Sequence, residues 1–181
     1  FRSEAWAAGA IPVLAAGNRQ DARLFAEPRT AVVVTATDRS GALARYAPPV
    51  DVPPLGVAAP GGERGDTADT CHIGGRPIGV LSTFARSKGD RSGYACMAGT
   101  SMAAPHVSGA LALLLSMGYS RDEALERLVD TAHPGAGLGA GRIDVAAAVA
   151  PPWPVGVMNL HDDFDTGTPQ PAVAQAPTVG P

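Results

Sequence analysis

At 181 residues, 45% hydrophobic and 17% charged, the chain is long enough for one compact domain with a sizeable core. A formal net charge of −3 offers no basic stripe to displace counterions, which argues against nucleic acid as a partner. The longest apolar stretch, Ala110 to Leu115, is far short of the roughly 20 residues a membrane span needs.

Phe1 stands in place of a starting Met, so the start of the chain is expected to be missing or processed. Residues 1–10 predict the end of a helix, with Trp6 and Ala10 on one face and Gly9 near its stop. Ile11 to Ala16 is a short apolar run between a helix and Gly17-Asn18, which reads as a buried parallel strand. Ala31 to Thr35 repeats the pattern with β-branched residues and predicts a second interior strand. Ala42 to Ala47 and Pro54 to Ala59 are weaker strand candidates, separated by the Pro48-Pro49 break.

Gly61 to Gly75 has no period and reads as a surface loop. Ile78 to Phe84 and Gly93 to Met97 predict a hairpin whose arms are joined by residues 85–92. From Ser101, Met102, Val107, Ala110, Leu111, Leu114 and Leu115 recur at helical spacing. That helix is apolar over most of its surface, so it is expected in the middle of the protein. Ser120 with Glu123 spells a capping box for the next helix, whose inward stripe is Ala124, Leu125, Leu128, Val129 and Ala132. A glycine-rich turn, Gly135 to Gly141, leads to Arg142-Ile143, and Asp144 caps a last short helix up to Ala150. Residues 151–181 are proline-rich and aperiodic, so they read as an extended, disordered linker or tail, leaving 1–150 as the folded unit. Strands followed by a buried helix and further helices indicate an α/β fold of three layers, with a mostly parallel sheet and flanking helices.

Chemistry concentrates at Gly99 to Gly109, GTSMAAPHVSG. A serine hydroxyl is a weak nucleophile and needs a base plus donors for the developing oxyanion. Ser101 lies between a glycine-containing turn and the first turn of a helix, where unpaired N–H groups and the positive dipole end gather. Pro105 falls in the opening turn, where its missing N–H costs little. Patterning alone fits a well-packed helix start equally well.

The eleven-residue string strongly resembles the serine motif of the subtilase family, Gly-Thr-Ser-Met-Ala-x-Pro-His-Val-x-Gly. Further resemblance follows in the family's order: PVLAAGN at 12–18, AVVVTATD at 31–38, VAAPG at 57–61, VLST at 80–83 and GAGRIDVAAAV at 139–149. It covers about residues 1–150 and implies a subtilisin-like α/β fold, incomplete at its N-terminus. It further implies a serine endopeptidase that acts on proteins and peptides, with Ser101 as nucleophile and Asn18 as oxyanion donor. Ala15, Ala16 and Gly17 would line one wall of the pocket for the residue before the scissile bond. Asn18 after Gly17 is also a good turn residue in its own right.

The family's catalytic His and Asp occupy His-Gly-Thr and Asp-Ser/Thr-Gly segments, which the resemblance places upstream of residue 1. No His in the chain is followed by Gly. His106 lies five residues past Ser101, some 140° around a helix axis, and reads as a packed helix residue. His72, His133 and His161 sit in a loop, at a helix end and in the tail, none a good base. Asp165-Thr166-Gly167 spells the Asp motif in the proline-rich tail and reads as a polar turn. An α/β-hydrolase elbow is disfavoured because Gly99 to Ala103 lacks its second glycine. Alternatives to an active enzyme are a non-catalytic subtilase-like peptide-binding module or an inactive fragment.

Cys71 and Cys96 leave two readings open, one disulfide or two unpaired thiols. By resemblance the protein is expected to be extracellular or at the cell surface, and monomeric. No cofactor is expected for the chemistry. Structural calcium is common in the family, but no acidic cluster assigns a site here.

Overall fold

Val32, Val33 and Val34 are β-branched and flanked by small residues, which suits a strand buried on both faces. In the computed structural model, which describes residues 2–19, 30–50, 55–63, 72–73, 76–77, 79–84 and 93–151, that segment is the middle of a three-stranded sheet. Strand β2 (Val32–Thr37) pairs in parallel with β1 (Val13–Ala15) on one side and β3 (Gly56–Pro60) on the other. The segment at 140–143, just after the glycine-rich turn, extends the sheet beside β3: Ala140 N–H donates to the Gly56 carbonyl, and Ile143 N–H to that of Ala58. The expected first, second and fourth strand candidates are therefore present.

The third is not. Ala42 to Ala47 makes one antiparallel bridge, Thr37 with Leu43, and no strand. Asp38 explains the difference, since its carboxylate accepts from Ser40 N–H (2.8 Å), Ser40 hydroxyl (2.7 Å) and Ala42 N–H (3.1 Å). Those bonds close a tight Asx-type turn immediately after β2 and fold the chain back on itself.

Side chains alternate across β2. Val32, Val34 and Ala36 join the main core with Val57 and Ala59, while Val33 faces a smaller cluster with Ala16 and Val50. Helix α2 (Thr100–Ser116) packs on the main-core face through Ala103, Val107, Ala110, Leu111 and Leu114. It stops at Met117–Gly118, where Gly118 at φ 86° lets Tyr119 N–H reach Leu114 and Gly118 N–H reach Leu115. Helix α2, expected in the middle of the protein, leaves part of its apolar surface open among the described residues. Leu113 is 39% exposed and Leu115 42%, because the described sheet and helices cover one face of it only.

Helix α3 (Arg121–Asp130) begins in the predicted capping box: Ser120 hydroxyl accepts from Glu123 N–H, and Glu123 carboxylate accepts from Ser120 N–H at 2.8 Å. Leu128 and Leu114 are fully buried, each worth roughly 1.5–3 kcal/mol relative to exposure. Arg121 ties this helix to α1 (Arg2–Ala7), donating to the Trp6 carbonyl at 2.8 Å and stacking over its ring. Trp6 packs against the core, whereas Ala10, expected on the same face, is exposed. Helix α4 (Val145–Ala148) is a single turn, capped by the Asp144 carboxylate on Ala147 N–H at 2.9 Å. Arg127 of α3 donates to the carbonyls of Ala148 and Ala150 at its end.

Both capping carboxylates carry a pH signature. Glu123 is held below the usual carboxylate range by the Ser120 hydroxyl and N–H. Asp144 is held low first by Ala147 N–H and then by His133. A carboxylate with a depressed folded-state pKa stabilises fully above its ordinary pKa of about 4, and that contribution is lost as pH falls through the folded value. The melting temperature is therefore expected to fall on acidification from pH 5 to about pH 3. Glu123→Gln with Asp144→Asn should flatten that fall; an equally steep decline in the double variant would show that the caps contribute nothing to it.

The predicted hairpin forms from β6 (Val80–Phe84) and β7 (Gly93–Met97), paired antiparallel from Val80–Met97 to Phe84–Gly93. The region read as a loop, 61–75, contains β4 (His72–Ile73), which pairs with β5 (Arg76–Pro77). Residues 152–181 of the expected tail, with His161 and the Asp165-Thr166-Gly167 string, lie outside the described residues, as does Cys71. Cys96 is disulfide-bonded. Among the described residues no helix is long and apolar enough to cross a membrane, and no cluster of His, Cys, Asp or Glu could hold a metal.

Candidate active site

Strand β1 ends at Ala15, and its chain continues through Ala16 and Gly17 to Asn18 at the carboxyl edge of the sheet. Gly17 has φ 102°, a conformation that turns the chain sharply out of the strand and brings Asn18 against the start of α2. Strand β7 arrives at the same place, running through Ala98 and Gly99 into Thr100. Two separate strand ends, one from each side of the sequence, thus meet at one helix N-terminus.

The meeting point is a hydrogen-bonded knot centred on Thr100, which is 1% exposed. Its N–H donates to Asn18 Oδ1 at 2.9 Å. Its hydroxyl accepts from Gly17 N–H at 3.1 Å and lies within donating distance of Gly17 O (3.0 Å) and Asn18 Oδ1 (3.2 Å). Gly99, the N-cap, has no side chain to satisfy the first turn of α2, and Asn18 supplies the acceptor from a distant strand.

That anchoring decides which end of the Asn18 amide is free. Oδ1 is committed to Thr100, so Nδ2 carries two N–H donors with no acceptor among the described residues. A Cβ on Gly99 would lie 3.3 Å from Nδ2 and 3.4 Å from Oδ1, so the absence of a side chain there lets the amide sit against the backbone. Ser101 follows on the exposed side of the first turn. Its N–H also has no acceptor among the described residues, and it lies at the positive end of the α2 dipole. Among the described residues, an exposed hydroxyl and two N–H donors without an acceptor, one from the Asn18 amide and one from the Ser101 backbone, therefore share one end of α2.

Of the sequence-predicted residues, the structure brings Ser101, Asn18 and Gly17 into this cluster. Ala15 and Ala16 lead into it, with Ala16 buried and Ala15 half-buried. His106 is exposed rather than packed: it lies on α2 with Nδ1 2.8 Å from the Met102 carbonyl one turn back. His133 pairs with Asp144 through Nε2 at 2.8 Å, beside a cavity of about 340 Å³ that none of the five predicted residues lines. Thr100 was not singled out from the sequence. Its one signal is a hydroxyl residue inside a run of small residues at a helix start, where a cap is expected one position earlier.

The sequence and the fold both have counterparts among known proteins. Residues 2–152 match the subtilase family. The chain is 34% identical over 155 residues to the thermophilic serine proteinase of Bacillus sp. strain AK1, an alignment covering 80% of this chain and 32% of that protein. It is 35% identical over 111 residues to the extracellular basic protease of Dichelobacter nodosus, covering 52% of this chain and 18% of that protein. A solved protease from Pseudoalteromonas arctica PAMC 21717 superposes with a TM-score of 0.64 at 31% identity, covering 82% of this chain and 44% of that one. The chain thus spans less than half the length of each of these relatives, and over that span its fold is subtilisin-like. With that match running over residues 2–152, the chain belongs to the subtilase family.

Proposed function

We propose that the chain carries the nucleophile and one oxyanion donor of a serine endopeptidase acting on proteins and peptides. The observation that carries this reading is the Asn18 amide, held by Oδ1 on Thr100 so that Nδ2, with no acceptor among the described residues, lies beside the helix end that presents Ser101. Ser101 Oγ attacks the scissile carbonyl carbon and its proton passes to a base. The carbonyl oxygen becomes an oxyanion that accepts from Asn18 Nδ2 and the Ser101 N–H. Collapse expels the amine, which takes the proton, and water then cleaves the acyl-Ser101 ester. Ala15, Ala16 and Gly17, on the strand end beside Asn18, form one wall for the residue preceding the scissile bond.

On this reading the base and its orienting Asp come from outside the described residues. His106 is turned back onto Met102, and His133 is bound to Asp144. The 181 residues alone are accordingly expected to hydrolyse peptides negligibly. The name of the Dichelobacter relative supports an extracellular or cell-surface setting, and a disulfide at Cys96 is consistent with an oxidising compartment.

Treating the full-length protein with a fluorophosphonate tests the reading. The expected result is a single covalent adduct on Ser101, located by peptide mapping. A full-length protein that binds peptides yet never forms the adduct would instead be a non-catalytic module with an emptied cleft.

A further inference from the structure

The turn that delivers Ser101 is held from behind by a group that the reaction itself does not use. Gly99 N–H donates to the Gly61 carbonyl at 3.0 Å, a bond that joins the N-cap of α2 to the end of β3. Gly61 is itself pinned. Its N–H and that of Gly62 both donate to the Thr37 carbonyl, at 3.0 and 3.2 Å. The Tyr46 hydroxyl lies 2.9 Å from both the Gly61 and the Gly62 carbonyl oxygens. No side chain fits at Gly61, where a Cβ would come within 2.4 Å of Ala36 Cβ, 2.8 Å of Gly99 O and 3.0 Å of the Tyr46 hydroxyl.

Tyr46 is 9% exposed, and its ring belongs to the main core. A phenylalanine would fill the same volume, so burial accounts for the ring and not for the hydroxyl. A buried phenol needs a partner, and here it finds the two carbonyls of the turn whose next hydrogen bond is to Gly99. The chain of contacts runs Tyr46 hydroxyl, Gly61 carbonyl, Gly99 N–H, then Thr100 and Ser101. We propose that Tyr46 is a positioning residue for the nucleophile: its hydroxyl fixes the Gly61–Gly62 turn and, through it, the height at which Gly99 presents Ser101. This rests on the reading of Ser101 as the nucleophile.

The physical expectation is a loss of precision, not of fold. Without the hydroxyl, Gly61 O still accepts from Gly99, so no buried donor is orphaned and the ring still packs. The turn is then free to shift by a fraction of an ångström, and catalysis is sensitive on that scale. In the full-length enzyme, Tyr46→Phe is expected to lower kcat about tenfold with KM within about twofold. Amide exchange at Gly99 should quicken about five- to tenfold, the effect of one weakened hydrogen bond.

Ser101→Ala run alongside separates the two ideas. If Ser101→Ala keeps wild-type activity, the nucleophile is misassigned and the role of Tyr46 falls with it. If activity depends on Ser101 but Tyr46→Phe leaves kcat and Gly99 exchange unchanged, the Tyr46 role alone is overturned. A kcat loss in Tyr46→Phe that is matched by a collapse of the melting temperature also overturns it, since the hydroxyl would then be merely structural.

Discussion

Replacing Ser101 with Ala in the full-length enzyme is expected to lower kcat by on the order of 10⁶-fold, with KM nearly unchanged. The size follows from what the substitution removes. Without Oγ there is no acyl-enzyme, and the remaining groups can only bind substrate and stabilise an oxyanion raised by water, a residual of about 10³–10⁴ over the uncatalysed rate. The fold should be indifferent to the change: Ser101 is exposed on the first turn of α2, and Ala is the better helix former. Steady-state kinetics with a melting curve on the same preparation check both halves. Activity reduced only tenfold would mean that another nucleophile serves the site, and a large drop in melting temperature would mean that Ser101 has a structural role.

Much of the candidate site is legible in the sequence, and the limits of that legibility have physical causes. Ser101 and Asn18 are 83 residues apart in sequence, yet each sits at a recognisable local transition: a glycine before a helix start, and a glycine after an apolar strand. Short apolar runs located β1, β2, β3 and the β6–β7 hairpin, and helical spacing located α2 and α3. Such patterning failed at Ala42 to Ala47, where alternating small residues look strand-like but the Asp38 turn has already consumed the local N–H groups. It failed again on the outer face of α2, because apolar composition reports what a helix can bury and not what these residues cover. The hydrogen-bond knot at Thr100 and the brace at Tyr46 were invisible for a different reason. Each joins backbone groups on distant segments, and no residue pattern encodes which carbonyl lies within 3 Å of which hydroxyl.

Asn18 offers the sharper dissection, because its two amide atoms have separable tasks. Oδ1 caps Thr100 N–H, which contributes to the stability of the α2 start; Nδ2, with no acceptor among the described residues, is the proposed oxyanion donor. Asn18→Asp keeps the cap and strengthens it, since a carboxylate favours a helix N-terminus. It also deletes the donor and places negative charge at the proposed oxyanion position. Its kcat is expected to fall at least as far as for loss of one oxyanion donor, about 10²–10³-fold, while the melting temperature holds or rises. Asn18→Ala removes both functions, so kcat should fall by a similar factor and stability by about 1 kcal/mol, the usual value of a lost helix cap. Kinetics and thermal melts on the two variants therefore give different pairs of results. Equal stability loss in both would show that Oδ1 is not acting as a cap. Full activity in Asn18→Asp would show that the oxyanion is held by other donors, and that the free amide at Nδ2 has no part in the reaction.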